Sequence, residues 1–412
     1  MNFRQAEEYL LSLELFGMRF GLDRMHRLMT VLGLPQRRFA SIHVVGSNGK
    51  SSTVRFAAAI LEREGLRTGS YTSPHLRSFR ERIEVGEEPV SEADFAAAVT
   101  RAAQAAELVN RTAEPDDQVT QFEALTAAGY HELARRGVEV AVIEAGLGGR
   151  FDATNVIPSK VQVLTSVSLE HTRWLGPTLP DIGREKLAVV HDYGTLVAGD
   201  LPEEILQLAR EVASTHHARL VAATPSGLEM TAAGTFQHVN FGLAAAAAEA
   251  FLERPVRDEA LRAAASETVV AGRLEAVGER PLTLLDGAHN PSGAYALADS
   301  LAEVFGARRP RVAVVGVLDD KDAAGMLESL LPHLDRIVFT KPLNPRSLSP
   351  ATLVTLAEKL GGPPAETVPA PKAALERARR LAGPDGVVLA TGSIYLIADL
   401  VRDESDARAS TL

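Results

Sequence analysis

The residues best suited to chemistry lie in one run, residues 41–52, SIHVVGSNGKSS. Its β-branched part (Ile42, Val44, Val45) reads as a buried strand that breaks into a glycine loop, then a lysine followed by serines. Gly46 and Gly49 let the backbone close around anionic oxygens, because a residue without a Cβ reaches dihedrals that others avoid. Ser47 and Asn48 lie between them, Lys50 brings a point charge, and Ser51 or Ser52 offers a hydroxyl to Mg²⁺. The first N–H groups of the helix that follows point at the same oxygens, so the run should cradle a nucleoside triphosphate. The common phosphate-loop spacing is G-x-x-x-x-G-K-[ST], whereas Val44 stands five before Gly49 here, leaving G-x-x-G-K-[ST].

A strand and a helix must flank that loop. The helical pattern after it (Val54, Phe56, Ala57, Ala58, Ile60, Leu61) supplies one, and Gly65 ends it. Upstream, residues 3–33 carry helical periodicity that stops at Gly33 and Pro35. Downstream, residues 68–72 read as a short strand, and Ser91 with Asp94 approximates a capping box for a helix through Leu108. Residues 121–135 form another amphipathic helix. Residues 138–143 read as a buried strand ending at Glu144, followed by the glycine-rich GLGGRFDATN; residues 161–167 repeat the pattern and end in SLEHT. Strand ends that release a carboxylate or imidazole into a loop are where open α/β sheets place their sites. A buried carboxyl such as Glu144 needs a partner, and Mg²⁺ suits it because hard Mg²⁺ takes oxygen ligands and keeps several waters. Residues 268–281 break the pattern, after which strand candidates at 282–285, 312–317, 336–339 and 387–390 alternate with helices. Two α/β lobes with nucleotide in the cleft between them is the economical architecture.

The 412 residues exceed what one hydrophobic core usually serves, and 46% hydrophobic against 23% charged residues leaves ample core material. With 43 Lys plus Arg against 53 Asp plus Glu the net charge is −10, which disfavours nucleic acid and acidic membranes as partners. Arg77, Arg80 and Arg82 form a basic cluster against that background, suited to an anionic substrate or to solvated surface. The opening MNFRQAEEYL is acidic where a secretory signal needs a basic region, and no apolar run approaches bilayer length, so a cytoplasmic protein is expected. Without cysteine, any metal must be held by oxygen or imidazole.

Taken in order, these segments resemble the folylpolyglutamate synthase and dihydrofolate synthase family, relatives of the Mur ligases. GSNGKSS is similar to that family's GTNGKGS loop, GSYTSPHLRSFRERI to its G-x-YTSPHL-x-x-F-x-ERI, and VIEAGLGGRFDATNVI to its second signature. SLEHTRWLG, IGREKLAVV, FQHVN and AGRLE resemble its DHT-x-x-LG, I-A-x-E-K-A-G-I, HQ-x-x-N and PGRLE segments, and LLDGAHNP, GVLDDKD, NPRSLSP and GSIYL have counterparts too. Departures are Ser47 for threonine, Ser51 for glycine, Glu170 for aspartate, Phe236 for histidine and Ala271 for proline.

The resemblance implies a P-loop NTPase-like, mostly parallel N-terminal lobe over residues 1–272, a hinge at 273–280 and a smaller Rossmann-like C-terminal lobe over 281–412. It implies an ATP-dependent ligase, acting as a monomer, that adds L-glutamate to dihydropteroate or to folates through an acyl phosphate. Ser73, Glu144 and His171 are then expected at metal, with Mg²⁺ at two positions; imidazole is a poor Mg²⁺ ligand, which points to a weaker second one. Lys186 is expected as a carbamate, and Lys50, Lys186 and His289 as catalytic groups. Asn240 is expected on adenine, Arg273 on phosphate, and Asp286 on nucleotide from the second lobe. A pterin pocket is expected from Thr120, Gln121, Phe122 and Glu123 with Phe151, Asp152 and Ala153. There Phe122 would stack on a flat ring and Asp152 would accept its N–H groups, unless Phe122 packs under its helix and Asp152 orders the glycine loop. Two other classes compete: a Mur-type cell-wall ligase, which would carry a further N-terminal domain, and a nucleotide-gated binding protein without synthesis. Glutamate- and folate-dependent ADP release separates the last from an enzyme.

Overall fold

The computed structural model describes residues 1–13 and 21–402. Contacts divide the chain into two units: the first gathers the residues up to Glu229 with Val239–Thr268, the second Met230–His238 with the chain from Val269 onward.

The first unit is built on an eight-stranded sheet. Its strands are β1 (Ala40–Val45), β2 (Thr68–Tyr71), β3 (Ile83–Val85), β4 (Glu88–Pro89), β5 (Val140–Glu144), β6 (Val161–Leu164), β7 (Thr195–Ala198) and β8 (Arg219–Ala222), in spatial order β4-β3-β2-β5-β1-β6-β7-β8. All pair in parallel except β3 and β4, which turn back at one edge. The Val-, Ile- and Leu-rich centre follows from burial: β1, β5 and β6 are covered on both faces, so that even polar residues such as Ser41, His43 and Gln162 are buried. Strand β1 lies between β5 and β6, where connections leave for opposite sides of the sheet; the carboxyl ends there form the crevice in which such folds take ligands.

The second unit has six strands: β9 (Glu275–Glu279), β10 (Leu282–Leu285), β11 (Arg311–Val315), β12 (Arg336–Phe339), β13 (Ala365–Thr367) and β14 (Val387–Thr391), ordered β13-β12-β11-β14-β10-β9. Only β9 is antiparallel, and a register shift between Thr283 and Leu284 marks a bulge. Its residues fall in the stretch expected to be a hinge, so that stretch is an edge strand of the second sheet. Strands β7, β8 and β13 had no counterpart in the sequence reading; β8 and β13 are short edges whose half-exposed residues lack a buried strand's apolar run.

The expected helical stretch at 3–33 contains two helices, Phe3–Ser12 and Asp23–Val31, with residues 14–20 outside the described residues. Ser91 caps the helix Glu92–Asn110 by accepting from the Asp94 N–H, while its hydroxyl donates to the Asp94 carboxylate at 2.6 Å. Among the described residues, no helix is long and apolar enough to cross a membrane.

A buried ion network ties the second helix to the helix Gln121–Arg135. Arg24 Nε lies 3.0 Å from both carboxylate oxygens of Glu123, and its guanidinium also bonds Asp117. The side chains of Arg24 and Glu123 are each 8% exposed, so removing one partner strands charge in a poorly solvated place. Arg24→Met is expected to cost about 3–5 kcal/mol of stability. Arg24→Met/Glu123→Gln should recover part of it, and urea unfolding of the wild type and both variants is the check; an unchanged single variant would refute the assignment.

Candidate active site

The loop after β1 has the shape its glycines require. Gly46 has φ +152°, and a Cβ there would stand 1.9 Å from Thr165 Oγ1; Gly49 has φ +84°, and its Cβ would meet Asn240 Oδ1 at 2.3 Å. Any side chain at either place would therefore be strained and would collide. The loop is stitched to residues leaving β6: Ser47 N–H donates to Ser166 O at 2.9 Å, Asn48 N–H to Ser166 Oγ at 2.9 Å, and Thr165 Oγ1–H to Asn48 O at 2.6 Å. Ser47 Oγ accepts from Ser168 N–H at 3.0 Å. Thr165 and Ser166 were not singled out in the sequence, where a hydroxyl at a strand end looks like any turn residue. Lys50 begins the helix Lys50–Arg63, and its amine donates to Gly46 O at 2.9 Å and Ser47 O at 3.1 Å, lying back across the loop. Asn240, from the helix Thr235–Leu252, thus packs directly on the loop, while Ser52 is buried.

Glu144 is the last residue of β5 and 2% exposed. One carboxyl oxygen accepts from Ser51 Oγ at 3.0 Å and the other from Ser73 N–H at 3.1 Å. The structure therefore unites Ser51, Ser73 and Glu144 beside the glycine loop; the Ser51 hydroxyl and the Glu144 carboxylate are oxygen donors that fit Mg²⁺ by their hardness, while Ser73 joins through its backbone N–H. His171 is the N-cap residue of the short helix Thr172–Leu175, with φ +46°, and acts electrostatically on Glu170. Among the described residues, no three His, Asp or Glu side chains gather as a metal-binding group.

Lys186 and Glu170 form a buried pair. Their side chains are 1% and 8% exposed, and Nζ donates to the carboxylate at 2.9 Å. Burial opposes the charge on Glu170, but Lys186, Lys50 and His171 overcome it and hold the carboxyl at about 2. Burial also pushes the Lys186 amine below the usual lysine range, against the pull of Glu170. Lys50 thus lies close enough to act on both members, which joins the phosphate loop to the pair.

The expected pterin segments divide by role. Thr120 and Glu123 form a capping box, Glu123 also holds Arg24, and Gln121, 1% exposed, donates to Leu10 O at 2.8 Å. These three serve the helix start and its packing. The sequence reading missed this because a motif does not tell which way the first turn of a helix faces. Phe122 points elsewhere: a Cβ on Gly146 would stand 2.7 Å from its ring and 3.2 Å from Asp152 Oδ2. Its ring lies 6.4 Å from that of Tyr71, so an aromatic edge and a carboxylate converge over the glycine loop. Asp152 also orders that loop: it accepts from Leu147 N–H at 2.8 Å, and from Thr154 N–H at 3.0 Å and Thr154 Oγ1–H at 2.5 Å. Burial raises its pKa against these bonds. Phe151 is 44% exposed, whereas Ala153 is buried. The basic cluster does not form one patch: Arg77 is exposed, while Arg82 is 1% exposed, donates to His75 Nδ1 at 3.0 Å and lies over the Phe79 ring.

In the second unit Asp286 is 3% exposed and accepts from Leu274 N–H at 3.0 Å and Ala288 N–H at 2.8 Å. Burial raises its pKa, against the opposing charge of Arg273. Arg273 packs on Gly287, where a Cβ would lie 2.6 Å from its guanidinium. His289 Nδ1 is 2.9 Å from Gly287 O, and Asn290 caps the helix Pro291–Phe305.

Residues 272–394, all in the second unit, match the family described as Mur ligase, glutamate ligase domain. The Bacillus subtilis dihydrofolate synthase/folylpolyglutamate synthase is 32% identical over 415 residues, an alignment spanning 93% of this chain and 95% of that protein. The chain spans about half of a longer relative, the probable bifunctional folylpolyglutamate synthase/dihydropteroate synthase of Haloferax volcanii, with 33% identity over 97% of its own length and 50% of the relative's. Mycobacterium tuberculosis folylpolyglutamate synthase, solved in complex with ADP, superposes with a TM-score of 0.90 at 30% identity over 97% of this chain and 98% of that one. With the phosphate loop, the buried Glu144 cluster and the glutamate ligase match all in one chain, it belongs to the dihydrofolate synthase/folylpolyglutamate synthase family of Mur-type ligases.

Proposed function

We propose that this protein is an ATP-dependent ligase that joins L-glutamate to dihydropteroate and to folates, forming ADP and phosphate. The observation that carries it is the union of Lys50, Ser51, Ser73 and Glu144 at the carboxyl ends of the central strands, in a chain that aligns with nearly the whole length of a relative bearing both activities in its name.

The glycine loop and the helix after it hold the triphosphate, and Lys50 swings from the loop carbonyls onto phosphate oxygens. Glu144, with the hydroxyls of Ser51 and Ser73, would hold Mg²⁺, and His171 would serve a second, weaker position. When bound, the metal neutralises charge on the phosphate oxygens. In the first unit Asn240 is assigned to the nucleotide; in the second, Arg273 is assigned to phosphate and Asp286 fixes the loop that presents His289. The carboxylate of the acid substrate attacks the γ-phosphorus in line, ADP departs, and an acyl phosphate forms. The amine of glutamate then attacks the acyl carbon and phosphate leaves; the amine proton passes to a base, a role assigned to His289. Such chemistry needs positioning and charge neutralisation more than a protein nucleophile, in keeping with a site of lysine, carboxylate and hydroxyls.

Lys186 is proposed as a carbamate in the working enzyme. Its burial favours the neutral amine that CO₂ requires, but a carbamate beside Glu170 would place two anions together, so Lys50 and the metal must offset them. The protein without metal should therefore keep the Lys186–Glu170 ion pair. Native mass spectra with Mg²⁺ and bicarbonate should show about 44 Da of added mass, that of one CO₂. Because the lysine pKa is lowered, the neutral amine and the adduct should grow as pH rises and vanish on acidification. A fully active, metal-loaded enzyme without the adduct would overturn this assignment.

Lys50→Ala should reduce glutamate-dependent ADP release on the order of 10²-fold or more while cooperative unfolding is retained. Near wild-type turnover in a folded variant would remove Lys50 from the mechanism. For the acid substrate, purified protein supplied with dihydropteroate, glutamate and ATP should form dihydrofolate; a protein that extends reduced folates yet leaves dihydropteroate untouched is a folylpolyglutamate synthase alone.

A further inference from the structure

His43 stands in the middle of β1, fully buried among Val, Ile and Leu, and takes no part in the phosphate loop three residues on. Its Nε2 lies 2.8 Å from Thr154 Oγ1, itself buried, and that hydroxyl is 2.5 Å from Asp152 Oδ1. A hydroxyl has one proton. If Thr154 donates it to the carboxylate, it must accept from His43, which puts the imidazole proton on Nε2. The ring stays neutral, because burial, together with His191, lowers its pKa to about 3. Among the described residues the buried Nδ1 atom has no hydrogen-bond partner, so no second bond there holds the ring in another orientation. Tyr130 Oη donates to Thr154 O at 2.9 Å and anchors the backbone of the same residue.

The carboxylate therefore has two unlike sides. Its Oδ1 is held from beneath by the Thr154 N–H and hydroxyl, while Oδ2 bonds Leu147 N–H at 2.8 Å on the side where Phe122 approaches Gly146. Fixing Oδ1 sets the plane of the group, and that sets the direction in which Oδ2, held on its own side by the backbone of Gly146 and Leu147, faces Phe122.

We propose that His43 is a positioning residue for the acid substrate: acting through Thr154, it aims the Asp152 carboxylate at the space beside Phe122. The inference rests on the reading that this space takes the flat heterocycle of the acid, and the experiment separates the two. The acid that the wild type turns over is identified first, by assaying dihydropteroate and reduced folate in parallel. If neither acid is a substrate, both the reading and the inference fall; if either is, His43 is tested with that acid.

Loss of a hydrogen bond to a charged group should raise KM for the acid about tenfold in His43→Leu, with KM for ATP unchanged. His43→Gln, whose side-chain N–H reaches about where Nε2–H lies, should restore KM to within about threefold of wild type. Thr154→Val, which removes the middle of the chain, should match His43→Leu and keeps the test available if that variant does not fold. The proposal is overturned if KM for the acid and for ATP rise together, if the glutamine variant recovers nothing, or if both chain-breaking variants bind the acid as the wild type does.

Discussion

A carboxyl group at 2% exposure on the end of a central strand is the constraint around which the first unit is arranged. Glu144 lies at the bottom of the crevice between strands, where water cannot reach its oxygens, so the protein must supply donors. It does so from two directions: Ser51 at the start of the loop helix and Ser73 just after β2. Both bonds require β1, β2 and β5 to end at the same level, as their parallel registers make them do. The glycine loop then has one available path, with Gly46 against Thr165 and Gly49 against Asn240, and Lys50 has the loop carbonyls within reach.

Charge is distributed in the same economical way. Lys50 sits between two acidic neighbourhoods, the Ser51–Glu144 contact and the Lys186–Glu170 pair, and acts electrostatically on the second. Glu170, at the position where the resemblance implied the shorter aspartate, meets Lys186 directly at 2.9 Å. A buried pair of this kind contributes little net stability, because desolvation offsets much of its attraction, yet removing either member would leave an unmatched charge. The pair therefore suits a site whose charge state is set by what binds there.

Much of this was legible in the sequence for a physical reason: a loop that wraps phosphate needs glycine where side chains would collide and a lysine at the helix start, and few other structures need both. Glu144 was equally visible, as a carboxylate ending an apolar run. Less could be read where one residue type serves several ends. Thr120, Gln121 and Glu123 look like recognition residues in a motif, but they cap a helix and hold Arg24 and Leu10. Thr165 and Ser166 carry the loop without any pattern to announce them, and His43 passes for a core histidine, because in packing terms it is one. The edge strand within the stretch expected as a hinge was hidden for another reason: Glu275–Glu279 is half-exposed and glycine-bearing, the composition of a linker and of an edge strand alike.

That edge strand bears on how the second unit could be cut from the chain. Strand β9 covers the outer side of β10, and Gly272 O and Leu274 N–H complete the bonding of Gly287 and Asp286 in the loop beyond. A fragment beginning at residue 281 would bare the full hydrogen-bonding edge of an apolar strand, Leu282–Leu285, and leave a buried carboxyl short of a donor. Open apolar edges pair with whatever strand they meet, including copies of themselves. A fragment starting a dozen residues earlier carries its own cover, so solubility of the isolated unit would be decided by a five-residue strand that resembles a tether.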